Sequence, residues 1–248
     1  MSESVFDEHA SEYDTWFLAN PRVLESEVLM IRSALGEPGR TLSVGCGSGL
    51  FEHILRTRHG VDIRHGVEPA AEMAAIARKR GLEVAPGVAE ELPCGDVEFD
   101  TVLLNGVPSY TADLAAAFRE AHRVLRPGGH VVVADVPAES SYGLVYRLAA
   151  EIGTWENEHL KKVAPPHPYP VEFAAAARWR TTPEKVELLR STGFEGFEFF
   201  QTLTRHPKYS DELVEQPVPG YDRGDYVAIR ARKPEGVLRA RFRLSRWS

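Results

Sequence analysis

Cysteine is scarce: Cys46 and Cys94 are the two in 248 residues, which excludes a disulfide framework and a thiolate metal cluster. No apolar run approaches the roughly 20 residues that a membrane-crossing helix requires. The opening stretch "MSESVFDEHASEYD" is acidic and has no apolar core of the secretory kind, so a cytoplasmic location with reduced thiols is expected. Excess positive charge is also missing: 29 Lys and Arg stand against 36 Asp and Glu, a formal balance of -7. A general nucleic-acid binder needs a cationic face for phosphates, so that class is disfavoured. His9, His53, His59 and His65 are scattered without ligand spacing, and no metal site is expected.

What is present is ordinary globular composition, 43% hydrophobic and 26% charged, with strong periodicity. Apolar residues at helical spacings fill the first 35 positions, and Asn20-Pro21 divides them into two helices because proline suits a helix's first turn. From Thr41 the chain alternates short apolar runs with helical stretches, the pattern of βαβ units around a parallel sheet. Strands are predicted at Thr41–Val44, Asp62–Val67, Glu83–Pro86, Phe99–Leu104 and His130–Asp135, with helices near Gly49–Arg58, Ala71–Arg80 and Asp113–Leu125. "RPGG" at Arg126–Gly129 is predicted to turn the chain into strand five. Beyond Asp135 come a helix in "SSYGLVYRLAAEIG", a proline-rich "APPHPYP", and a helix capped at Thr182-Pro183. Phe197–Thr204 and Asp225–Arg232 then form an antiparallel edge pair. The whole is one domain: a helical N-terminal segment (1–38), an insertion (137–181) and a basic tail (233–248).

The stretch with most chemical content is "TLSVGCGSGLFE". Glycines at 45, 47 and 49 let the backbone bend with positive φ and pass close beneath a ligand, at the strand ends where such sheets bind. The helix that follows points free N–H groups at that place. A P-loop would need Gly-Lys-Ser/Thr, but Leu50-Phe51 follows Gly49. The dinucleotide fingerprint G-x-G-x-x-G differs from G-x-G-x-G by one residue, so spacing gives only a preference. Glu68, nineteen positions after Gly49, ends strand two, where a carboxylate can accept the hydroxyls of a ribose.

"LSVGCGSG", "GVEPAAEM", "GVAEELPCGDVEFDTVLL" and "REAHRVLRPGGHVVVAD" resemble, in order, the successive motifs of class I S-adenosylmethionine-dependent methyltransferases. "FDEHASEYDTWF" resembles the cofactor-covering N-terminal helix of the subgroup similar to ubiquinone and menaquinone methyltransferases. The resemblance implies an α/β fold: a Rossmann-like seven-stranded sheet of order 3-2-1-4-5-7-6, strand seven antiparallel, with helices on both faces. It implies S-adenosyl-L-methionine as cofactor, S-adenosyl-L-homocysteine as product, and a small-molecule acceptor methylated on O, N, C or S. It places Gly45, Cys46, Gly47 and Gly49 under the methionine part, and Glu68 on the ribose diol. Pro69 and Met73 line the adenine, Ala89 and Glu90 meet its edge, and Asn105 lies near the sulfonium. Cys46 itself reads best as a small buried thiol.

A sulfonium donor is already activated, so such a protein supplies mainly position and environment. Losing an acceptor proton calls for a base, and the candidates are His159, His167 and Tyr13, with Tyr110 and Tyr169 behind them. For both histidines the competing reading is a plain surface residue. Tyr142, Tyr146, Trp155, Tyr169, Phe173 and Trp179 in the insertion form either an acceptor pocket or simple packing. Three rivals remain at this level: methylation of RNA or protein, a nicotinamide oxidoreductase, and a cofactor-binding regulator without catalysis. The tail "RARKPEGVLRARFRLSRWS" could be an edge strand, a homodimer contact, an anionic-partner patch or a solvated end.

Overall fold

The computed structural model describes residues 10–236, with the backbone alone at residues 10 and 11. Residues 237–248, which hold most of the basic tail, and the start of the N-terminal segment lie outside the described residues.

Period-two patterning builds the centre. On strand β4 (Phe99–Asn105), Val102 and Leu104 face one helical layer while Leu103 faces the other. On β5 (Leu125–Asp135), Val131 and Val133 share the first face, and Val132 and Ala134 the second. The register makes these choices coincide: Val102 lies beside Val131, and Leu104 beside Val133. Both faces are apolar because both are covered, as parallel strands require. One layer contains helix Leu114–Val124 and the other helices Pro21–Leu35 and Leu50–His59. Burying each Leu, Ile or Phe in these layers stabilises by about 1.5–3 kcal/mol.

β1 (Thr41–Val44) sits between β2 (His65–Val67) and β4, and β3 (Glu83–Ala85) closes one edge. β5 pairs in parallel with β4 and antiparallel with the last strand, β8 (Tyr226–Arg232). β8 in turn pairs antiparallel with β6 (Glu195–Thr202). The sheet order is β3-β2-β1-β4-β5-β8-β6-β7. Without β7 this is the expected 3-2-1-4-5-7-6 arrangement, and the count of eight rather than seven comes from that two-residue strand, Val218–Pro219. Pro219 is tolerated because β7 is an edge.

Several boundaries differ from the sequence reading. Strand two shortens to His65–Val67. Arg126–Gly129 is part of β5 rather than a separate turn, beside a register shift between Phe99 and Thr101. Helix Thr182–Ser191 is capped by Thr181, not Thr182. There the Thr181 hydroxyl accepts the Glu184 N–H and the Glu184 carboxylate accepts the Thr181 N–H, a reciprocal capping box. Asn20 does separate the first two helices, Ala10–Ala19 and Pro21–Leu35.

The loop before β8 is organised by buried Gln201. Its amide donates to the Pro219 carbonyl at 3.0 Å and Asp222 at 2.7 Å, and its oxygen accepts the Arg223 and Gly224 N–H groups at 3.0 and 2.7 Å. Asp225, next in line, accepts the N–H of Tyr142 at 3.1 Å and so fixes the start of helix Ser141–Ile152 to the sheet.

Burial pushes the Asp225 carboxyl up from 3.8 to about 7, against the opposing pull of the backbone N–H groups of Tyr142 and Ser141. A carboxyl raised on folding holds a proton that the unfolded chain releases. Its stabilising contribution is therefore complete below the unfolded pKa and is lost as pH rises toward about 7. Asp225→Asn keeps the acceptor oxygen without the charge. It is expected to raise the melting temperature by roughly 2–6 °C at about pH 8, and hardly at all near pH 4. A variant that melts no higher than the parent at pH 8 would contradict this account.

Candidate functional site

The carboxyl ends of β1, β2, β4 and β5 open on one side of the sheet, where the strand order reverses. After β1 the chain turns sharply. Gly45 donates to the Val67 carbonyl at 2.7 Å, and Gly49 to that of Cys46 at 2.9 Å. Gly45 and Gly47 have φ of 61° and 54°, values that disfavour any side chain. They differ in what a side chain would meet. A Cβ on Gly45 would lie 2.5 Å from Val107 Cγ2, whereas one on Gly47 would meet nothing within 4 Å. Gly47 therefore forms an open floor.

Glu68, just beyond β2, joins the two loops. Its carboxylate accepts the N–H of Gly47 at 2.8 Å and that of Ala70 at 2.9 Å. It is buried, and it borders a cavity of about 400 Å³. Gly45, Gly47, Pro69, Met73, Ala89, Glu90, Asn105 and Tyr13 border the same cavity. Oε1 of Glu90 also accepts the N–H groups of Ala112 and Asp113, at 3.1 and 3.2 Å, and so anchors the approach to helix Leu114–Val124. Asn105 accepts the phenolic proton of Tyr226 at 2.7 Å.

Four expected residues do not border it. Cys46 turns away, packing with Ala77, Leu82 and Val84 behind the loop, and burial drives its thiol pKa far up, so it is inert. Gly49 owes its identity to packing, since a Cβ there would come within 3.2 Å of Ala77 and Leu82. His159 is exposed and faces Glu158. His167 is exposed too, and what it contributes is its carbonyl, which accepts from Trp16 Nε1 at 2.9 Å and Asn20 Nδ2 at 3.2 Å. Neither residue borders this cavity. Tyr13 does border it, but burial above all, with nearby Glu27 adding, raises its phenol well above 10. It therefore stays protonated at neutral pH.

The far side of the cavity is aromatic. Trp16, Phe17, Tyr110, Tyr142, Tyr146 and Tyr169 reach it from four separate segments, and Trp179 joins them. Tyr146 stacks on Tyr169 at 5.7 Å and 17°, and Trp16 meets Tyr169 edge-on at 5.0 Å. The insertion's aromatics thus divide between two roles: Tyr142, Tyr146, Tyr169 and Trp179 line the cavity, while Phe173 is fully buried and Trp155 packs against Tyr146.

Three features escaped the sequence reading. Asp14 accepts Ser48 Oγ at 2.5 Å and Arg80 Nη2 at 2.6 Å, pinning the first helix to the glycine turn. Asp135, at the end of β5, is paired with fully buried Lys185 and accepts Ser109 Oγ at 3.2 Å. Burial raises its pKa while Lys185 pulls it down. Glu27 lies on the buried face of helix Pro21–Leu35. Its signal was available: an acid four residues after Val23 and four before Ile31, inside an apolar stripe.

The cavity walls suit a sulfonium nucleoside. There is an open glycine floor, a buried carboxylate beside it, apolar Met73 and Ala89 to enclose a base, and aromatic faces for a cation.

Comparison with known proteins agrees. A family described as "Methyltransferase domain" matches residues 42–133. An uncharacterized protein of Methanocaldococcus jannaschii is 31% identical over 230 residues, 93% of this chain and 99% of its own. A crystal structure from Thermotoga maritima, described as an S-adenosylmethionine-dependent methyltransferase and possible histamine N-methyltransferase, is 35% identical with a TM-score of 0.79. The match covers 92% of this chain and 98% of that one. Demethylmenaquinone methyltransferase of Thermus thermophilus is 38% identical over 120 residues, 45% of this chain and 54% of its own.

The two turn glycines should behave differently when replaced. Gly45→Ala adds a collision with Val107 to left-handed strain and is expected to cost about 2–4 kcal/mol in urea unfolding. Gly47→Ala carries the strain alone, about 1–2 kcal/mol. Equal losses would show that the floor at Gly47 is not open.

Proposed function

The chain belongs to the class I S-adenosylmethionine-dependent methyltransferases, and from that premise we propose that it methylates a small molecule held in the aromatic half of the cavity. S-adenosylmethionine supplies, when bound, a methyl group already activated on a sulfonium centre. The protein's part is to orient, to exclude water and to receive what leaves. Gly45 and Gly47 give the methionine portion a floor without side chains. Glu68 accepts the ribose hydroxyls and, through its bond to the Gly47 N–H, keeps that floor in register. Pro69, Met73 and Ala89 enclose the adenine, with Glu90 at its edge, and Asn105 stands at the junction with the acceptor chamber.

The observation that carries this reading is continuity. Residues of the glycine turn and the aromatic residues of the insertion border one cavity, so donor and acceptor can meet without solvent between them. A small acceptor fits this arrangement better than a polymer, because Trp16, Tyr146, Tyr169 and Trp179 close over the chamber as a connected set of ring contacts. The N-terminal helix and residues 137–181 act as the cover. Asp14, bonded to Ser48 and Arg80, is its latch on the donor side. Trp16 and Asn20, bonded to the His167 carbonyl, latch it to the insertion.

Two measurements test this. Glu68→Gln can accept only one of the two N–H bonds and bears no charge. It is expected to weaken S-adenosylhomocysteine binding by more than about tenfold in calorimetry, a loss of about 1.4 kcal/mol or more. Unchanged affinity would remove Glu68 from the site. Asp14→Ala is expected to speed S-adenosylhomocysteine release several-fold in stopped flow with little change in association; a release rate equal to the parent's would remove the latch.

A further inference from the structure

Among the described residues bordering this cavity, Glu27 is a buried carboxyl with one oxygen left without a hydrogen bond. It is 4% exposed, and the unbonded oxygen is Oε2. Asp135, the other carboxylate on the acceptor side, is already neutralised by Lys185. Among the described residues no basic group pulls the Glu27 pKa down, and burial lifts it well above the usual carboxylate range. The titratable groups whose electrostatics it perturbs are phenols, those of Tyr13, Tyr142, Tyr146 and Tyr226. A buried carboxyl left unpaired costs several kcal/mol, so a fold carries one only where something else compensates it.

A helix face that packs Val23, Leu24, Val28 and Ile31 into the core could hold leucine at position 27 more stably. What compensates the acid must therefore enter from the cavity, which Glu27 borders together with Trp16, Tyr146, Tyr169 and Trp179. A carboxylate set among aromatic faces is complementary to a cationic nitrogen on an apolar body. The carboxylate pairs with the charge and the rings attract it through their quadrupoles.

We propose that Glu27 is the acceptor-recognition residue and that the acceptor carries a protonated amine, which pairs with Glu27 inside the aromatic chamber. This rests on the reading of the cavity as a methyltransferase site and gives that site its substrate class. The amine's ammonium anchors the acceptor, while its apolar body fills the space between the rings. A neutral alcohol of the same shape could donate a hydrogen bond to Glu27 but brings no charge to pair with it. It would bind less well because a charge-assisted bond is about twice as strong as a neutral one.

The test is a binding experiment on full-length protein saturated with S-adenosylhomocysteine. The probes are phenethylamine, tyramine, tryptamine and histamine, each set against the alcohol that replaces its amino group. At least one amine is expected to bind ten times or more tighter than its alcohol by calorimetry, and Glu27→Gln should erase that preference while S-adenosylhomocysteine affinity stays within twofold. If no amine is preferred over its alcohol, or if Glu27→Gln retains the preference, the proposal is overturned. Should Glu27→Gln not fold, the parent's amine-against-alcohol comparison decides alone. Failure of the parent to bind S-adenosylhomocysteine would instead refute the methyltransferase-site reading, so the two failures are separable.

Discussion

The bond from the Gly47 N–H to the Glu68 carboxylate is the constraint on which the site's shape depends. It joins the turn after β1 to the end of β2, two loops that the parallel sheet brings side by side but does not itself connect. With Gly45 held against Val107 and its N–H given to the Val67 carbonyl, the turn has little freedom left. Glu68 also accepts the Ala70 N–H, so one buried carboxylate sets the height of the floor and the start of the next helix. A charge-assisted bond in a water-poor place is strong enough for this.

The second half of the cavity obeys a different logic. It is walled by side chains from the first helix, the loop after β4, the insertion and β8. These segments adhere through ring contacts and a few backbone acceptors: Trp16 and Asn20 to the His167 carbonyl, Trp155 to the Tyr169 carbonyl at 2.8 Å, and Arg178 N–H to the Ser109 carbonyl at 2.6 Å. One end of the cavity is thus built on the rigid sheet and the other on packed helices and loops, where side chains vary most easily without disturbing the fold.

Much of this was legible in the chain. The short apolar runs in "TVLLN" and "HVVVAD" marked β4 and β5 as strands of a parallel sheet, and Asn20-Pro21 broke the first helix where the structure breaks it. Gly45, Gly47 and Glu68 border one cavity because local backbone demands, glycine at positive φ and an acid at a strand end, leave a mark on sequence. Met73 and Ala89, which border it too, were legible only through the family resemblance. His159 and His167 do not border the cavity, since where a histidine's ring faces is set by the tertiary course of its segment and not by its neighbours in sequence. The two-residue β7 left no periodic trace, being held by the side chain of Gln201 rather than by its own pattern.

The sequence by itself determined the α/β class, the order of elements and the glycine-turn end of the cavity. Each of those follows from interactions within a few residues or from period-two and period-3.6 patterning. Only the tertiary structure decided the aromatic end. Burial of Glu27 with its Oε2 unbonded, the Asp135–Lys185 pair and the bond from Ser48 to Asp14 each join residues far apart in the chain or depend on surroundings assembled from several elements. No local pattern encodes such encounters, because what fixes them is the packing of the whole fold.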